Sequence, residues 1–212
     1  MDLPADDRVM KMKAIANTIW TLLALIGTAG TVAALPPVYT FDDLPTPWDP
    51  VDMNYNQAIP NGYAGLDWRN FHVLDAVNFP YNPSGYLNGL VSAPNVAVNW
   101  NALPSSMRLA TGLFDLGSAY MTAAWADGLV VQVQGFRGGA ILYNNSYTLS
   151  RTSPTLIDFN YLGVDKVIFL SSSQFGMDNL VVVVPEPSAL SLLLAGVLLL
   201  PMRSLQRRHR DD

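Results

Sequence analysis

The sequence predicts an all-β fold, an antiparallel β-sandwich, between two terminal segments of different character. Two observations support this fold class. Short stretches rich in β-branched and aromatic residues recur along the chain and are separated by Gly, Pro, Asn and Ser, as in antiparallel sandwiches. Within these stretches apolar and polar residues alternate, which is the period of a strand with one buried face. Between Val38 and Val184 no stretch shows a convincing helical period.

Six strands are predicted from these patterns. In one of them, alternation places Leu129, Val131 and Val133 on a single face. Residues 137–139 (Arg-Gly-Gly) then supply a turn, so the next strand is expected to return beside it as a hairpin. The predicted strands cover residues 38–44, 128–136, 140–150, 155–162, 166–172 and 175–184.

Residues 45–101 have a different composition, with seven Pro and ten Asn. Aromatic residues are scattered through this segment, and so much aromatic surface is not usual in a disordered linker. A structureless loop of this length would also be unusual inside a compact domain. We therefore expect short strands and long, packed loops that cover the sandwich.

Composition excludes several classes of function. The chain has 212 residues and no Cys, so it has no disulfide, thiolate metal ligand or cysteine nucleophile. Between Leu35 and Val184 there are eleven Asp, no Glu and only five Lys or Arg. Nucleic-acid binding requires clustered basic residues, so nucleic acid is not an expected partner.

Residues 1–34 are predicted to be a signal peptide. Arg8, Lys11 and Lys13 precede a short apolar run, which is expected to be helical and ends in small residues before Leu35. We expect export through the secretion translocon and cleavage after Ala34, with translation starting at the first or a later Met. An N-terminal membrane anchor is the alternative, although the run is short for a membrane span.

Residues 185–212 are predicted to contain a short membrane-anchoring segment. The apolar run 189–201 has 13 residues, whereas a stable membrane-spanning helix needs about 20. The run is therefore expected to be a short transmembrane helix whose basic end stays in the cytoplasm. The residues that define the segment are Pro185, Glu186, Pro187, Arg203, Arg207 and Arg208.

This triplet, apolar run and basic cluster closely resemble the PEP-CTERM sorting signal of Gram-negative bacteria. The resemblance implies that an exosortase, a membrane protease, recognises the tail. The protein would then cross the inner membrane, be anchored transiently and reach the cell surface or the medium. Proteins of this kind usually accompany exopolysaccharide export. A plain C-terminal anchor is the alternative.

Residues 35–184 are predicted to form the working domain. The stretches TFDDL, IPNGYAGLDWRNF, PTLIDFNYLGVDKVIF and FGMDNLVV resemble secreted proteins with a jelly-roll domain similar to carbohydrate-binding modules. The resemblance implies an antiparallel jelly-roll β-sandwich, and it implies a fold more than an activity.

A calcium ion is the one expected cofactor. Asp42 or Asp43 on the first strand and Asp178 on the last would supply hard oxygen ligands, because first and last strands of jelly rolls commonly lie together. Similar carbohydrate-binding modules often carry a structural calcium there. The alternative is that these carboxylates accept hydrogen bonds from loop N–H groups or face solvent.

A sugar-binding face is expected among the aromatic residues in the Asn-rich segments. Sugars stack their C–H faces on Trp and Tyr, while polar side chains bind their hydroxyls. By contrast, Trp68, Phe71 and Trp125 are expected in the core. The candidate ligand-binding residues are Trp48, Tyr55, Tyr63, Tyr81 and Tyr86.

No catalytic residues are predicted. His72 is the only histidine of the domain, and Asp75, three residues on, is a possible partner, but no G-x-S-x-G nucleophile motif accompanies them. We therefore expect a non-catalytic surface or matrix protein that associates with exopolysaccharide. The alternatives are a glycan-acting enzyme that uses Asp pairs and a structural protein that binds its own kind.

Overall fold

The structure is a computed structural model that describes residues 35–46 and 55–185. The predicted signal peptide, Trp48 and the sorting tail after Pro185 lie outside these residues. Among the described residues, no helix is long and apolar enough to cross a membrane.

The described residues form thirteen strands and a single short α-helix. The strands are β1 (Val38–Tyr39), β2 (Asn56–Ala58), β3 (Asp67–Arg69), β4 (Phe71–Asp75), β5 (Asn95–Asn99), β6 (Ser105–Arg108), β7 (Phe114–Ala123), β8 (Leu129–Arg137), β9 (Ala140–Leu149), β10 (Thr155–Val164), β11 (Lys166–Ser171), β12 (Phe175–Asp178) and β13 (Leu180–Val183). The helix, α1, spans Gly85–Asn88, and Ser84 caps it by accepting a hydrogen bond from the Leu87 N–H.

These strands form two antiparallel sheets. The first has the order β1-β13-β7-β12-β5-β4-β2, with β10 on the other side of β7, and the second has the order β3-β6-β11-β8-β9. Aromatic side chains from both sheets meet in the core. The ring of Phe169 in β11 lies 5.4 Å from that of Phe71 in β4 and 6.1 Å from that of Phe175 in β12, measured between centroids. The molecule is therefore a β-sandwich, as the sequence predicts.

Strands β8 to β11 agree with the sequence patterns, whereas β6 and β7 lie outside the six predicted strands. Strands β8 and β9 form the predicted hairpin, and the turn between them uses Gly138 and Gly139 at positive φ. Leu129, Val131 and Val133 are all buried in the core. The Gly pair suits this turn because residues with a Cβ rarely adopt positive φ.

The predicted first strand is shorter than expected. Only Val38 and Tyr39 pair with another strand, and their partner is β13, so the first and last strands do lie side by side. At Phe41 the backbone enters the left-handed region (φ 65°) and turns, with the Leu44 N–H donating to the Phe41 carbonyl at 3.1 Å. The Phe41 side chain is fully buried, and its burial accompanies this turn.

The predicted last strand, residues 175–184, is divided in two. Asn179 adopts φ 48° between β12 and β13. Both halves still pair with the same strand, β7, but on their other edges β12 pairs with β5 and β13 pairs with β1. The break therefore lets one stretch of chain pair with two different neighbours.

Candidate functional site

An aromatic cleft of about 210 Å³ opens beside the first sheet. Its polar lining consists of Asn56, Asn101 and Gln174, which are all uncharged. The aromatic residues that line it come from four separate parts of the chain: Tyr55, Phe79, Tyr81, Tyr86, Trp100 and Trp125.

Trp125 forms one wall of the cleft and is 42% exposed. Its indole Nε1–H donates to the Gln174 side-chain oxygen at 2.9 Å. The ring centroid lies 5.6 Å from that of Tyr86 and 6.1 Å from that of Phe79. A hydrogen bond at one edge and two aromatic neighbours hold the indole in one orientation, so its free surface is preorganised for a ligand.

The end of β7 places Trp125 there. The chain leaves the sheet at Ala123, and two backbone hydrogen bonds then fix the residue before the tryptophan. The Ala124 N–H donates to the Gln174 carbonyl at 3.0 Å, and the Gly85 N–H donates to the Ala124 carbonyl at 2.8 Å. The second bond also seats helix α1, which carries Tyr86, against the same segment.

Tyr81 and Trp100 supply the other aromatic surfaces. Tyr81 is 55% exposed, and its ring contacts Tyr55 and Phe79 edge-on at 6.3 Å and 5.5 Å between centroids. Trp100 stacks on His72, with centroids 4.7 Å apart and an interplanar angle of 14°.

His72 is neutral at physiological pH and positions the Trp100 side of the cleft. Its Nδ1 lies 2.7 Å from the Asn56 side-chain oxygen. Burial lowers the pKa of His72 below its usual value of 6.5, because the charged ring would lose solvation. The suggested partner Asp75 is engaged elsewhere, since its carboxylate accepts hydrogen bonds from the Asn78 N–H and side-chain amide. His72 and Asp75 are therefore not a catalytic pair.

A second concavity of about 230 Å³ is also lined by Trp125. It shares Gln174 with the aromatic cleft and adds the polar residues Asp127, Ser172 and Ser173. Asp127 accepts hydrogen bonds from the Arg151 N–H at 2.6 Å and the Ser150 hydroxyl at 2.9 Å. These bonds, the backbone one foremost, lower the pKa of Asp127, so this carboxylate is ionised at neutral pH.

The structure brings together three of the five predicted ligand-binding residues. Tyr81 is exposed at the cleft. Tyr55 (8% exposed) and Tyr86 (1% exposed) are too buried to offer a ring face to a ligand, and they pack beneath the exposed residues of the cleft. Tyr63 lies elsewhere: its hydroxyl donates to Asp43 at 2.9 Å and accepts from the Phe41 N–H at 3.2 Å. Trp48 lies outside the described residues.

The core assignments of the two tryptophans had opposite outcomes. Trp68 is 7% exposed and its Nε1–H donates to the Tyr63 carbonyl, so its predicted place in the core is confirmed. The prediction for Trp125 is wrong, because the chain has already left the sheet and the ring projects beside Gln174. Sequence reasoning also missed Trp100 and Gln174, whose roles depend on neighbours distant in the chain.

Asp178 does not fit the predicted calcium site. It is fully buried, and its two oxygens accept four hydrogen bonds: from the N–H groups of Val91 (2.8 Å), Ser92 (2.8 Å) and Asn179 (2.7 Å), and from the Ser92 hydroxyl (3.0 Å). A carboxylate has about four lone-pair positions, so these donors occupy the ones a cation would use. Burial nevertheless raises the pKa of Asp178 above its usual value of 3.8, although these donors act in the opposite direction.

The other two predicted ligands also have protein partners. One oxygen of Asp42 accepts from the Asn95 N–H at 2.9 Å, and one oxygen of Asp43 accepts from the Tyr63 hydroxyl. Residues 35–46 and 55–185 contain no group of three acidic or histidine side chains placed to hold a metal. The hydrogen-bonding alternative describes all three Asp residues, and we derive no function through calcium.

Comparisons with known proteins show no family. No family model matches the chain, and no curated protein matches it. A solved structure described as TmCBM61 in complex with β-1,4-galactotriose is similar over 59% of this chain and 95% of its own, at 10% identity and a TM-score of 0.30. At that score the likeness supports no conclusion about this chain, and the sandwich rests on its own strand pairing.

Proposed function

We propose that this protein binds neutral oligosaccharides across the exposed indole of Trp125. The observation that carries the proposal is the fixed, partly exposed tryptophan that lines two concavities. The axial C–H groups of a sugar ring form an apolar face that packs on such a surface. The adjoining concavities leave room for the neighbouring sugar units of a short chain.

The polar residues around Trp125 suit hydroxyl groups. Asn56, Asn101 and Gln174 offer amide donors to sugar hydroxyls, and Asn101 also offers a carbonyl acceptor. The side-chain oxygens of Asn56 and Gln174 are engaged by His72 and Trp125.

The residues that line the two concavities include one charged group, Asp127. The Asp127 carboxylate can accept hydrogen bonds from sugar hydroxyls, but its negative charge repels an acidic sugar. The ligand of the Trp125 site is therefore neutral.

The cellular setting of the proposal comes from the terminal segments. The expected signal peptide would export the protein, and an exosortase would recognise the PEP-CTERM-like tail. Together these segments describe a protein sorted to the surface of a Gram-negative bacterium, with its sandwich in a jelly-roll arrangement. Binding without catalysis would attach such a protein to exopolysaccharide in the extracellular matrix. Immunodetection of the tail in cell fractions, with and without the exosortase, tests this part separately.

A glycan array tests the binding. The full-length chain, purified in a detergent without sugar head groups, should bind neutral oligosaccharides of two or more units, and Trp125→Ala should lose that binding. No neutral ligand on a broad array would overturn the proposal. Release of reducing ends from a bound glycan would instead identify an enzyme, and the sensitivity of that release to Asp127→Asn would locate it.

A further inference from the structure

The outer face of the second sheet carries a basic groove that is separate from the aromatic cleft. Trp68, Met107 and Val167 point into the core from three adjacent strands. Alternation therefore turns their neighbours outward. Strand pairing places Lys166 of β11 opposite Arg108 of β6, and Arg69 of β3 opposite Ser106 of β6.

This face holds three of the five basic residues between Leu35 and Val184. Arg69 and Arg108 are exposed, and Lys166 is half-buried with its Nζ 5.7 Å from the centroid of the Phe136 ring. Asp67 is the acidic residue in the lining, and it pairs with Arg108 at 3.3 Å. Within the described part of the chain, no ion pair joins Arg69 or Lys166 to an acidic residue.

Two adjoining depressions make this face a groove rather than a flat patch. Their volumes are about 330 Å³ and 460 Å³, and both are lined by Arg69, Ser106 and Lys166. Neighbouring strands lie about 4.8 Å apart, so the cations of β3 and β11 are spaced across roughly 10 Å. An extended anionic chain crossing the strands would meet both.

We propose that this groove binds the carboxylates of an acidic polysaccharide. Arginine pairs with carboxylate through two parallel N–H donors, and the Ser106 hydroxyl and Asn61 amide supply contacts for sugar hydroxyls. The groove is lined by three cations and one acidic residue, which is a low density of positive charge. That density suits a polymer with one carboxylate per sugar. The three cations do not supply the dense cation clusters that a nucleic acid requires.

Affinity electrophoresis of the full-length chain through gels containing polygalacturonate tests the groove. The wild-type chain should be retarded by polygalacturonate, and a Trp125→Ala chain should be retarded by polygalacturonate but not by a neutral galactan. In solution, binding should disappear at about 1 M NaCl, where the Debye length is roughly 3 Å. The double variant Arg69→Gln/Lys166→Gln should bind at least about tenfold more weakly, because it removes two charge-assisted contacts.

Arg137→Gln is a control outside the groove that removes one positive charge, as each of the single variants Arg69→Gln and Lys166→Gln does. The Arg137 guanidinium is bonded to the carbonyls of Leu162 and Gly163 in β10, so this change should leave polygalacturonate binding intact. Equal losses in the control and the double variant, absence of wild-type binding, or equally tight binding of single-stranded DNA would each overturn the proposal. Trp125→Ala should not alter polygalacturonate binding, which separates this groove from the neutral-sugar cleft.

Discussion

The position of Trp125 depends on a residue distant in sequence. In the stretch Ala123-Ala124-Trp125, a tryptophan that follows a strand and small residues favours a core position. Gln174 draws the indole outward by accepting its N–H, and that contact spans 49 residues. Local sequence therefore predicts that the residue is structurally important, but its exposure follows only from the tertiary neighbours of β7 and β12.

His72 gives the stability of the domain a pH dependence of known sign. Because burial lowers its folded pKa below 6.5, the unfolded state takes up a proton more readily than the native state as the pH falls. The stability contribution is fully present above pH 6.5 and is lost as the pH falls toward the folded pKa. The unfolding free energy of the wild type, measured between about pH 7.5 and 5, should decrease more than that of His72→Gln. Parallel pH profiles for the two chains would contradict this assignment.

Asp178 is expected to stabilise the fold without a metal. Asp178→Ala leaves the buried N–H groups of Val91, Ser92 and Asn179 without an acceptor and should cost about 3 kcal/mol in denaturant unfolding. Chelator should leave the wild-type melting temperature unchanged. A drop of several degrees on chelation, abolished in Asp178→Ala, would restore the calcium site.

Strand boundaries were harder to predict than strand existence. The alternation in residues 128–136 and 155–162 predicts β8 and β10 because one face of each strand is buried and the other faces solvent. The same pattern in 175–184 gives no sign of the break at Asn179, since residues on both sides of it are buried. The left-handed conformation there is required by pairing with β5 and β1, which local sequence does not show.

Helix α1 should be sensitive to a single methyl group. A Cβ on Gly85 would lie 1.7 Å from the Ala123 carbonyl oxygen, so Gly85→Ala must displace the helix and with it Tyr86. We expect a loss of about 2 to 3 kcal/mol in thermal or denaturant unfolding, together with weaker binding at the cleft because Tyr86 supports Trp125.

Gly139→Ala is the control for this effect. Gly139 lies in the turn between β8 and β9 at φ +84°, and a Cβ there meets no atom within 4 Å. Its cost should be only about 1 kcal/mol, from backbone strain alone, and sugar binding should be unchanged because Gly139 lines neither concavity. Equal losses of stability in the two variants would contradict the predicted clash between a Cβ at Gly85 and the Ala123 carbonyl oxygen.

At the scale of the whole molecule, the two sheets are joined by an aromatic core. Phe169 is fully buried and its ring contacts Phe71, Phe159 and Phe175 from the opposite sheet. Phe169→Ala should therefore cost about 4 kcal/mol and lower the melting temperature by roughly 10 °C. Leu162→Ala, at a residue that is 59% exposed, should change stability by less than about 0.5 kcal/mol; a comparable loss there would contradict the assigned core.

The sequence predicts the β-sandwich fold, but it predicts only part of the two candidate binding sites on the surface of the sandwich. Alternation and turn residues follow from local chemistry, so fold class and hairpin emerge without a structure. The aromatic cleft draws on Tyr55, Trp100, Trp125 and Gln174, which are separated by tens of residues. The basic groove is equally non-local, because register between strands decides that Arg69, Arg108 and Lys166 share a face.

The most direct test of the account is a fluorescence titration of the best neutral oligosaccharide from the array. The wild type and Leu162→Ala should show the same shift in tryptophan emission and the same dissociation constant. Trp125→Ala should lose the shift and bind at least about tenfold more weakly, since a central aromatic anchor is worth more than 1.4 kcal/mol. Unchanged affinity of a folded Trp125→Ala chain would show that the sugar binds elsewhere and would contradict the proposed site.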